Sequence, residues 1–285
     1  MRVGSRAGRA VLVSPDATAV IDLATASGGR FGPDPRDVFD AWDEVVRWHA
    51  TADVDYPAHG DGVELAELDA PSPAPRQVFA IGLNYRDHVV ESGLTLPEAP
   101  TVFTKFVGSF AGPVGDLVLA GETVDWEAEL VVVIGRAARD VAIEDAWSHV
   151  AGLTVGQDFS ERTVQLAGPA PQFSLGKSFA GFAPQGPWLV TPDELADRDR
   201  IPIACTVNGR TVQSSSTGQL VFSVPALVAH LSSVLELFPG DVIFTGTPAG
   251  VGGARKPPWF LAEGDVVETT IGGIGSLRQV CVQAT

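Results

Sequence analysis

The chain has 285 residues, 45% of them hydrophobic and 19% charged, a composition that suits a soluble globular protein with a full core and room for one large domain or a main domain with an appendage. Asp and Glu number 35 against 19 Lys and Arg, giving a formal net charge of -16 and a pI near 4.6, so a phosphate backbone is repelled and nucleic acid is excluded as a partner. A small anionic substrate meets the same repulsion unless a metal or a few placed basic residues reverse the field inside its site.

From the amino terminus, Met1 to Val13 holds three arginines but no apolar core of signal-peptide length, and Leu130 to Ile134 is far too short to cross a bilayer. A cytoplasmic protein with no membrane partner is the expectation. Val11 to Leu23 reads as a short strand pair joined by Ser14-Pro15-Asp16, and Pro35 to Thr51 has a helical pattern carried by Val38, Phe39, Trp42, Val45, Val46 and Trp48. Asp34 before Pro35 is its cap. The proline-rich run Ala70-Pro71-Ser72-Pro73-Ala74-Pro75 reads as a linker, which divides the chain into a small amino-terminal α/β domain, residues 1–70, and a main domain, residues 71–285.

Beyond that run strands dominate, at Val78 to Gly82, Leu117 to Leu119, Val124 to Ile134, Trp188 to Val190, Ile203 to Val207, Asp241 to Phe244, Val266 to Ile271 and Ser276 to Val282. Helical patterns interrupt them at Ala142 to His149 and at Val224 to Leu237, the second opening on Pro225 and closing at Pro239-Gly240. Short strands with few helices for crossovers predict a mainly β, α+β fold, a sandwich or rolled barrel, and disfavour a doubly wound sheet. Cys205 and Cys281 lie among Ile, Val and Ala without metal or redox spacing and read as buried spectator thiols. Pro171 to Ser178 lacks the first glycine of a phosphate-binding loop, and Lys256-Pro257-Pro258 after Gly250-Val251-Gly252-Gly253 forbids the helix of a dinucleotide fold.

The chemistry concentrates in three places. In Asp125-Trp126-Glu127-Ala128-Glu129-Leu130, strand alternation puts Glu127 and Glu129 on one face of a strand whose hydrophobic continuation is covered on both sides. Buried carboxylates are costly unless a cation offsets them. Asp158, in Gly156-Gln157-Asp158-Phe159, reads alone as a cap, and beside the two glutamates as a third oxygen ligand. Three carboxylates with water in the remaining positions suit Mg2+ or Mn2+, with Ca2+ also compatible, whereas zinc spacings are absent. Asp125 shares the face and is read as a support for the ligands in preference to a fourth ligand, and Trp126 as packing. In Gly82-Leu83-Asn84-Tyr85-Arg86-Asp87-His88-Val89-Val90-Glu91, a helical turn would set His88 and Glu91 one turn apart, the arrangement of an oriented general base or of an ordinary exposed pair. Lys105 is read equally as a positive group near the site and as a snorkelling surface lysine. His49, His59, His149 and His230 have no partner at a meaningful spacing.

Taken in order, Gly82-Leu83-Asn84-Tyr85 with Asp87-His88, Asp125-Trp126-Glu127-Ala128-Glu129-Leu130, Asp158-Phe159-Ser160, Gly176-Lys177-Ser178-Phe179 with Gly181-Phe182-Ala183-Pro184, Gly240-Asp241-Val242-Ile243 and Thr245-Gly246-Thr247-Pro248 resemble the fumarylacetoacetate hydrolase family from Arg76 to the carboxyl terminus. The likeness is to its acylpyruvate hydrolase and 2-hydroxyhepta-2,4-diene-1,7-dioate isomerase branch. The resemblance implies a mixed β-sandwich roll behind a small variable amino-terminal domain, assembled as a homodimer, and a divalent metal for carbon-carbon bond chemistry beside a pyruvoyl or 1,3-diketone group. By matching motif, Glu127, Glu129 and Asp158 would hold the metal, and His88 with Glu91 would activate water on a lid segment. Lys177 would steady the developing enolate, and Arg162, Gln165 and Thr247 would hold the carboxylate and keto groups. The implied activity is hydrolysis of an acylpyruvate or related diketo acid to pyruvate and a carboxylic acid. The alternatives on the same scaffold are an oxaloacetate-type decarboxylase and a 2-oxo acid isomerase or hydratase, and a more remote one is a metal-binding protein without catalysis. The chain departs from the family pattern at Ala180, where many relatives carry aspartate, and in Glu161-Arg162-Thr163-Val164-Gln165, in place of the usual Ala-Arg-Asp-Trp-Gln.

Overall fold

Val11 to Leu23 folds as two antiparallel strands, Arg9–Val13 and Ala19–Asp22, and the Ser14 Oγ closes their turn by accepting from the amides of Thr18 and Ala19. The computed structural model describes residues 1–283. The helical pattern that follows breaks in two, Pro35–Asp40 and Trp42–His49, at a non-helical Ala41. Asp34 caps the first piece through the Arg36 amide at 2.9 Å, and the break stacks Trp42 on Phe39 with ring centroids 5.9 Å apart.

The proline-rich run has no regular structure but is fixed in place, with Ser72 buried and its Oγ donating to the Gly240 carbonyl at 2.7 Å. Strands from both sides of that run belong to one large sheet. Its main path runs Asp61–Gly62, Ala19–Asp22, Arg9–Val13, Arg2–Arg6, Ala183–Val190, Val150–Gln157, Ala128–Ile134, Val242–Phe244, Val78–Gly82 and Thr101–Phe103. A second sheet of five strands orders Arg210–Ser216, Pro202–Val207, Val266–Ile271, Gly275–Gln283 and Val114–Leu119. The fold is therefore mainly β with few helices, as the pattern of short strands and turns predicts.

Ala128–Ile134 is the central strand and is buried along its whole length. Ala128, Leu130, Val132 and Ile134 face one core, shared with residues of the smaller sheet such as Ile203, Val267 and Leu277. Val131 and Val133 face the other, shared with Leu12, Val38 and Phe39 from the amino-terminal segment. Alternation places Glu129 on this second side.

Three predicted elements differ in detail. Val124 to Ile134 is not one strand: Val124–Asp125 pairs with Ser160–Glu161, the chain then breaks at Trp126 and Glu127, and the long strand begins at Ala128. The break follows from side-chain acceptors that replace backbone ones, since Trp126 N donates to Asp125 Oδ1 (2.8 Å) and Glu127 N to Gln157 Oε1 (2.9 Å). Ala142 to His149 forms a 3-10 helix, Ile143–His149, and the last helix, Val224–Val234, stops short of Leu237. Both cysteines are buried and free, as read. Among the described residues no helix is long and apolar enough to cross a membrane.

Candidate active site

The site forms where the break before Ala128 meets the end of Val150–Gln157. Asp158 N donates to the Glu127 carbonyl at 2.9 Å, which ties the two turns together. Ligand oxygens of Glu127, Glu129 and Asp158 lie within 4.8 Å of one another, and all three residues are buried. Strand alternation alone does not bring Glu127 and Glu129 together. Glu127 sits in the break, and its carboxylate is drawn to the cluster by cations.

Lys177 Nζ is the hub, donating to Glu127 Oε2 (2.8 Å), Asp158 Oδ2 (2.7 Å) and Ser160 Oγ (2.8 Å). It follows the one-turn helix Phe173–Gly176, which packs so closely on the helix Arg162–Gln165 that a Cβ on Gly176 would come within 2.4 Å of Gln165 N. Lys105 is also inside: it is 1% exposed, its Nζ donates to Asp158 Oδ1 at 2.5 Å and to the Lys177 carbonyl, and it stands 5.9 Å from the centre of the Phe244 ring. Of the two readings of Lys105, the surface one is corrected. Its neighbour Phe106 is the exposed residue of the pair, at 52%, so hydrophobicity gave the wrong side and no sequence signal marked the reversal.

Arg162 is committed to carboxylates. Nε and Nη2 reach Asp125 Oδ2 at 2.9 and 2.7 Å, and Nη1 reaches Glu127 Oε1 at 2.6 Å and Gln165 Oε1 at 2.9 Å. Asp125 also accepts from the amides of Gly252 (2.7 Å) and Gly253 (2.8 Å), so it supports Arg162, and Arg162 in turn supports Glu127. The Thr247 hydroxyl is used in the scaffold, donating to the Ala128 carbonyl and accepting from Gln213 Nε2.

His88 and Glu91 occupy one short helix, Arg86–Glu91, with Nδ1 and Oε2 3.1 Å apart. The Nδ1 contact leaves Nε2 as the nitrogen available for water or substrate. Asn84 anchors the start of this segment, accepting from Phe222 N and donating to the carbonyls of Phe222 and Thr245. Gly250 N donates to both oxygens of Glu91 (3.0 and 3.1 Å), and Ser215 Oγ to Asp87 Oδ2 (3.0 Å).

His88, Glu127, Arg162, Gln165, Lys177 and Thr247 border one cavity of about 190 Å³, while Glu91 and the other two carboxylates stand behind its walls. The electrostatics inside are unequal. Burial would raise the Glu127 carboxyl, but Lys177 and Arg162 overcome it and hold it at about 2. Glu129 is pushed well above the ordinary value, by burial first and then by Asp158 and Glu127. Among the described residues its hydrogen-bond partner is the Gly246 amide, which donates to Oε2 at 2.7 Å. Burial lowers Lys105, whereas Lys177, equally buried, is raised by Asp158 and Glu127.

Four carboxylates, Asp125, Glu127, Glu129 and Asp158, thus meet three cations, Lys105, Lys177 and Arg162, and Glu129 is the one left without an ion-pair partner among the described residues. An all-oxygen donor set with an unpaired buried carboxylate fits a hard divalent cation. Such an ion would leave the centre with a net positive charge, able to receive an organic anion despite the acidity of the whole chain.

Residues 77–282 match the family profile described as fumarylacetoacetate hydrolase C-terminal. The mitochondrial oxaloacetate tautomerase FAHD2A of Homo sapiens is 46% identical over 208 residues, which are 72% of this chain and 66% of that protein. The chain therefore spans just under two thirds of the length of this curated relative. A solved structure from Mycobacterium smegmatis, described as an HpcE protein, is 54% identical with a TM-score of 0.94 over 100% of both chains. The maleylpyruvate hydrolase of Sphingobium sp. SYK-6, solved with manganese(II) and pyruvate, is 27% identical with a TM-score of 0.80 over 100% of both chains. On the profile match, which covers more than half of its length, the chain belongs to the fumarylacetoacetate hydrolase family.

Proposed function

We propose that the protein is a divalent-metal-dependent hydrolase that cleaves an acylpyruvate or related 2,4-dioxo acid into pyruvate and a carboxylic acid. The observation that carries this is the meeting of two kinds of machinery on one small cavity: an imidazole oriented by a carboxylate, and an acidic cluster suited to a hard cation. Glu127, Glu129 and Asp158 would hold the cation, Mg2+ or Mn2+, which when bound would supply Lewis-acid polarisation of the 2-oxo group.

The chain's own residues supply the rest. His88, with Nδ1 held by Glu91, takes a proton from water at Nε2, and the hydroxide adds to the C4 carbonyl. The C3–C4 bond then breaks, its electron pair passes to C3 as the enolate of pyruvate, and protonation of C3 from the imidazolium completes the turnover. Lys177, bordering the cavity between Glu127 and Asp158, steadies negative charge on the enolate oxygen. Arg162 keeps Glu127 ionised and in place, and Gln165 and Thr247 border the pocket where the carboxylate and keto groups would lie.

A second reading, keto-enol tautomerisation of oxaloacetate, is favoured by the curated relative of that activity. There His88 would remove a C3 proton and the 2-oxo oxygen would gain one, with no bond between carbons broken. One assay separates the two. The Mn2+-loaded protein is given acetylpyruvate and oxaloacetate, and enol absorbance and pyruvate are followed together. Pyruvate with acetate, abolished by EDTA and by His88→Ala, supports hydrolysis. Loss of enol absorbance on oxaloacetate without pyruvate supports tautomerisation, and pyruvate from oxaloacetate alone indicates decarboxylation. No turnover of either acid overturns the proposal.

A further inference from the structure

A second cavity, about 420 Å³, abuts the first and shares three of its walls, His88, Arg162 and Gln165. The remainder of its lining is chiefly apolar: Leu166, Val251, Ala254 and Phe260, with Ser92 adding one hydroxyl. His88 therefore stands at the junction of the two chambers. The inner one carries Glu127 and Lys177 on its wall beside apolar residues such as Leu83, Phe103 and Phe173. In the outer one Arg162 is the one Lys, Arg, Asp or Glu among the described lining residues, and its guanidinium is already committed to Asp125 and Glu127.

We propose that the outer chamber is a subsite for an uncharged, apolar acyl chain, so that the substrate is a 2-oxo acid whose far end is alkyl rather than a second carboxylate. The inference rests on the reading of the inner cavity as a 2-oxo acid site. Three points carry it. First, the base that activates water sits where the two chambers meet, so the bond beside C4 lies at the junction when the 2-oxo acid head is inside and the tail outside. Second, a carboxylate in the outer chamber would find among the described lining residues no lysine or arginine that is not already paired, Arg162 being held by Asp125 and Glu127. Third, Leu166 is 57% exposed, and covering such a side chain with an alkyl chain removes apolar surface on both partners from water.

The test measures binding of straight-chain 2-oxo acids to the Mn2+-loaded protein by calorimetry, from pyruvate through 2-oxobutanoate and 2-oxohexanoate to 2-oxooctanoate, with 2-oxoglutarate and 2-oxoadipate as charged-tail comparators. Affinity should rise by up to roughly fourfold per methylene until the chamber is filled, and the diacids should bind more weakly than monoacids of equal length. Ala254→Trp, which fills the chamber, should abolish the dependence on length while pyruvate binds as before. Leu166→Glu, on an exposed wall that tolerates change, should do the same by placing a charge beside the tail.

Affinity independent of chain length, or a length dependence unaffected by both variants, overturns the subsite while leaving the inner site standing. Tighter binding of the diacids also overturns it. Failure of every 2-oxo acid, pyruvate included, to bind the Mn2+-loaded protein overturns the reading of the inner site and the subsite together.

Discussion

Lys105 is the residue at which the sequence was least informative and the structure most. A lysine between Thr104 and Phe106 gives no hint of burial, yet its ammonium holds one oxygen of Asp158 and the backbone of Lys177 at once. It leaves Asp158 Oδ2 as the oxygen facing Lys177 Nζ. Two effects of removing it compete. Loss of a positive charge beside the cluster favours cation binding through simple Coulomb attraction, whereas loss of the anchor lets Asp158 rotate out of position. Groups that orient metal ligands contribute about 10- to 100-fold in affinity. Lys105→Met should therefore weaken Mn2+ binding about 10-fold or more by calorimetry, and an unchanged or tighter dissociation constant would show that the lysine supplies charge alone. Glu127 and Glu129 were legible, because burial implied by the Leu-Val-Val-Val-Ile run leaves them needing a counter-charge, whereas Asp158 alone read as a cap and joined them only in combination. Arg162 was legible as a site residue only by motif. Its engagement with Asp125 and Glu127 depends on a turn in the chain that no local pattern announces.

Among the elements, the short helix Arg86–Glu91 carries the base, and its fixation is external. Glu91 accepts from Gly250 N, Asp87 accepts from Ser215 Oγ, and the helix has no side-chain cap of its own. The Glu91 carboxyl is raised by burial, but its bonds to His88 and the Gly250 amide outweigh this and hold it below the ordinary range, so it stays ionised to orient His88. Asp87→Ala should free the helix and lower kcat by about 10- to 100-fold, as misplacement of a reacting group does, with Mn2+ affinity unchanged. Equal kcat in the variant would show that Asn84 and Gly250 suffice.

At the far end of the large sheet Asp22 caps the one-turn helix Leu23–Ala26 through the Thr25 amide (2.9 Å) and pairs with Arg9 (2.9 Å). Burial raises its carboxyl, but the bonds to Arg9 and Thr25 prevail and lower it. A lowered carboxyl contributes stability that is present above its unfolded value and lost as pH falls through the folded one. Asp22→Ala should cost about 1 kcal/mol in urea denaturation at pH 7, and the gap from the unaltered protein should narrow as the pH is taken below the ordinary carboxylate value of 3.8. A gap that widens on acidification would contradict this account. The strand pair at Val11 to Leu23 and the Asp34 cap were readable because turn and cap chemistry is local. The break at Trp126-Glu127 was not, because contacts distant in the chain fix it, Gln157 with the Glu127 amide and the Gly252 amide with Asp125.

For the whole molecule, two sheets enclose one core and the large sheet has a second core on its other side, with the acidic cluster at the edge between them. The mainly β class followed from strand length and turn spacing, while the joining of the amino-terminal strands to the large sheet did not, since pairing such as Val3 with Leu189 spans most of the chain. The homodimer that the family resemblance implies is a proposal, checked by sedimentation for a mass about twice 29.8 kDa. The central claim is that an unpaired buried carboxylate, Glu129, makes this site a cation centre on which the chemistry depends. A Mn2+ binding isotherm of the purified protein beside Glu129→Gln tests it most directly, because glutamine keeps the shape and removes the charge. The account predicts one site per chain, and loss of about 100-fold or more in affinity in the variant. Absence of Mn2+ binding by the unaltered protein, or equal affinity in Glu129→Gln, would contradict it.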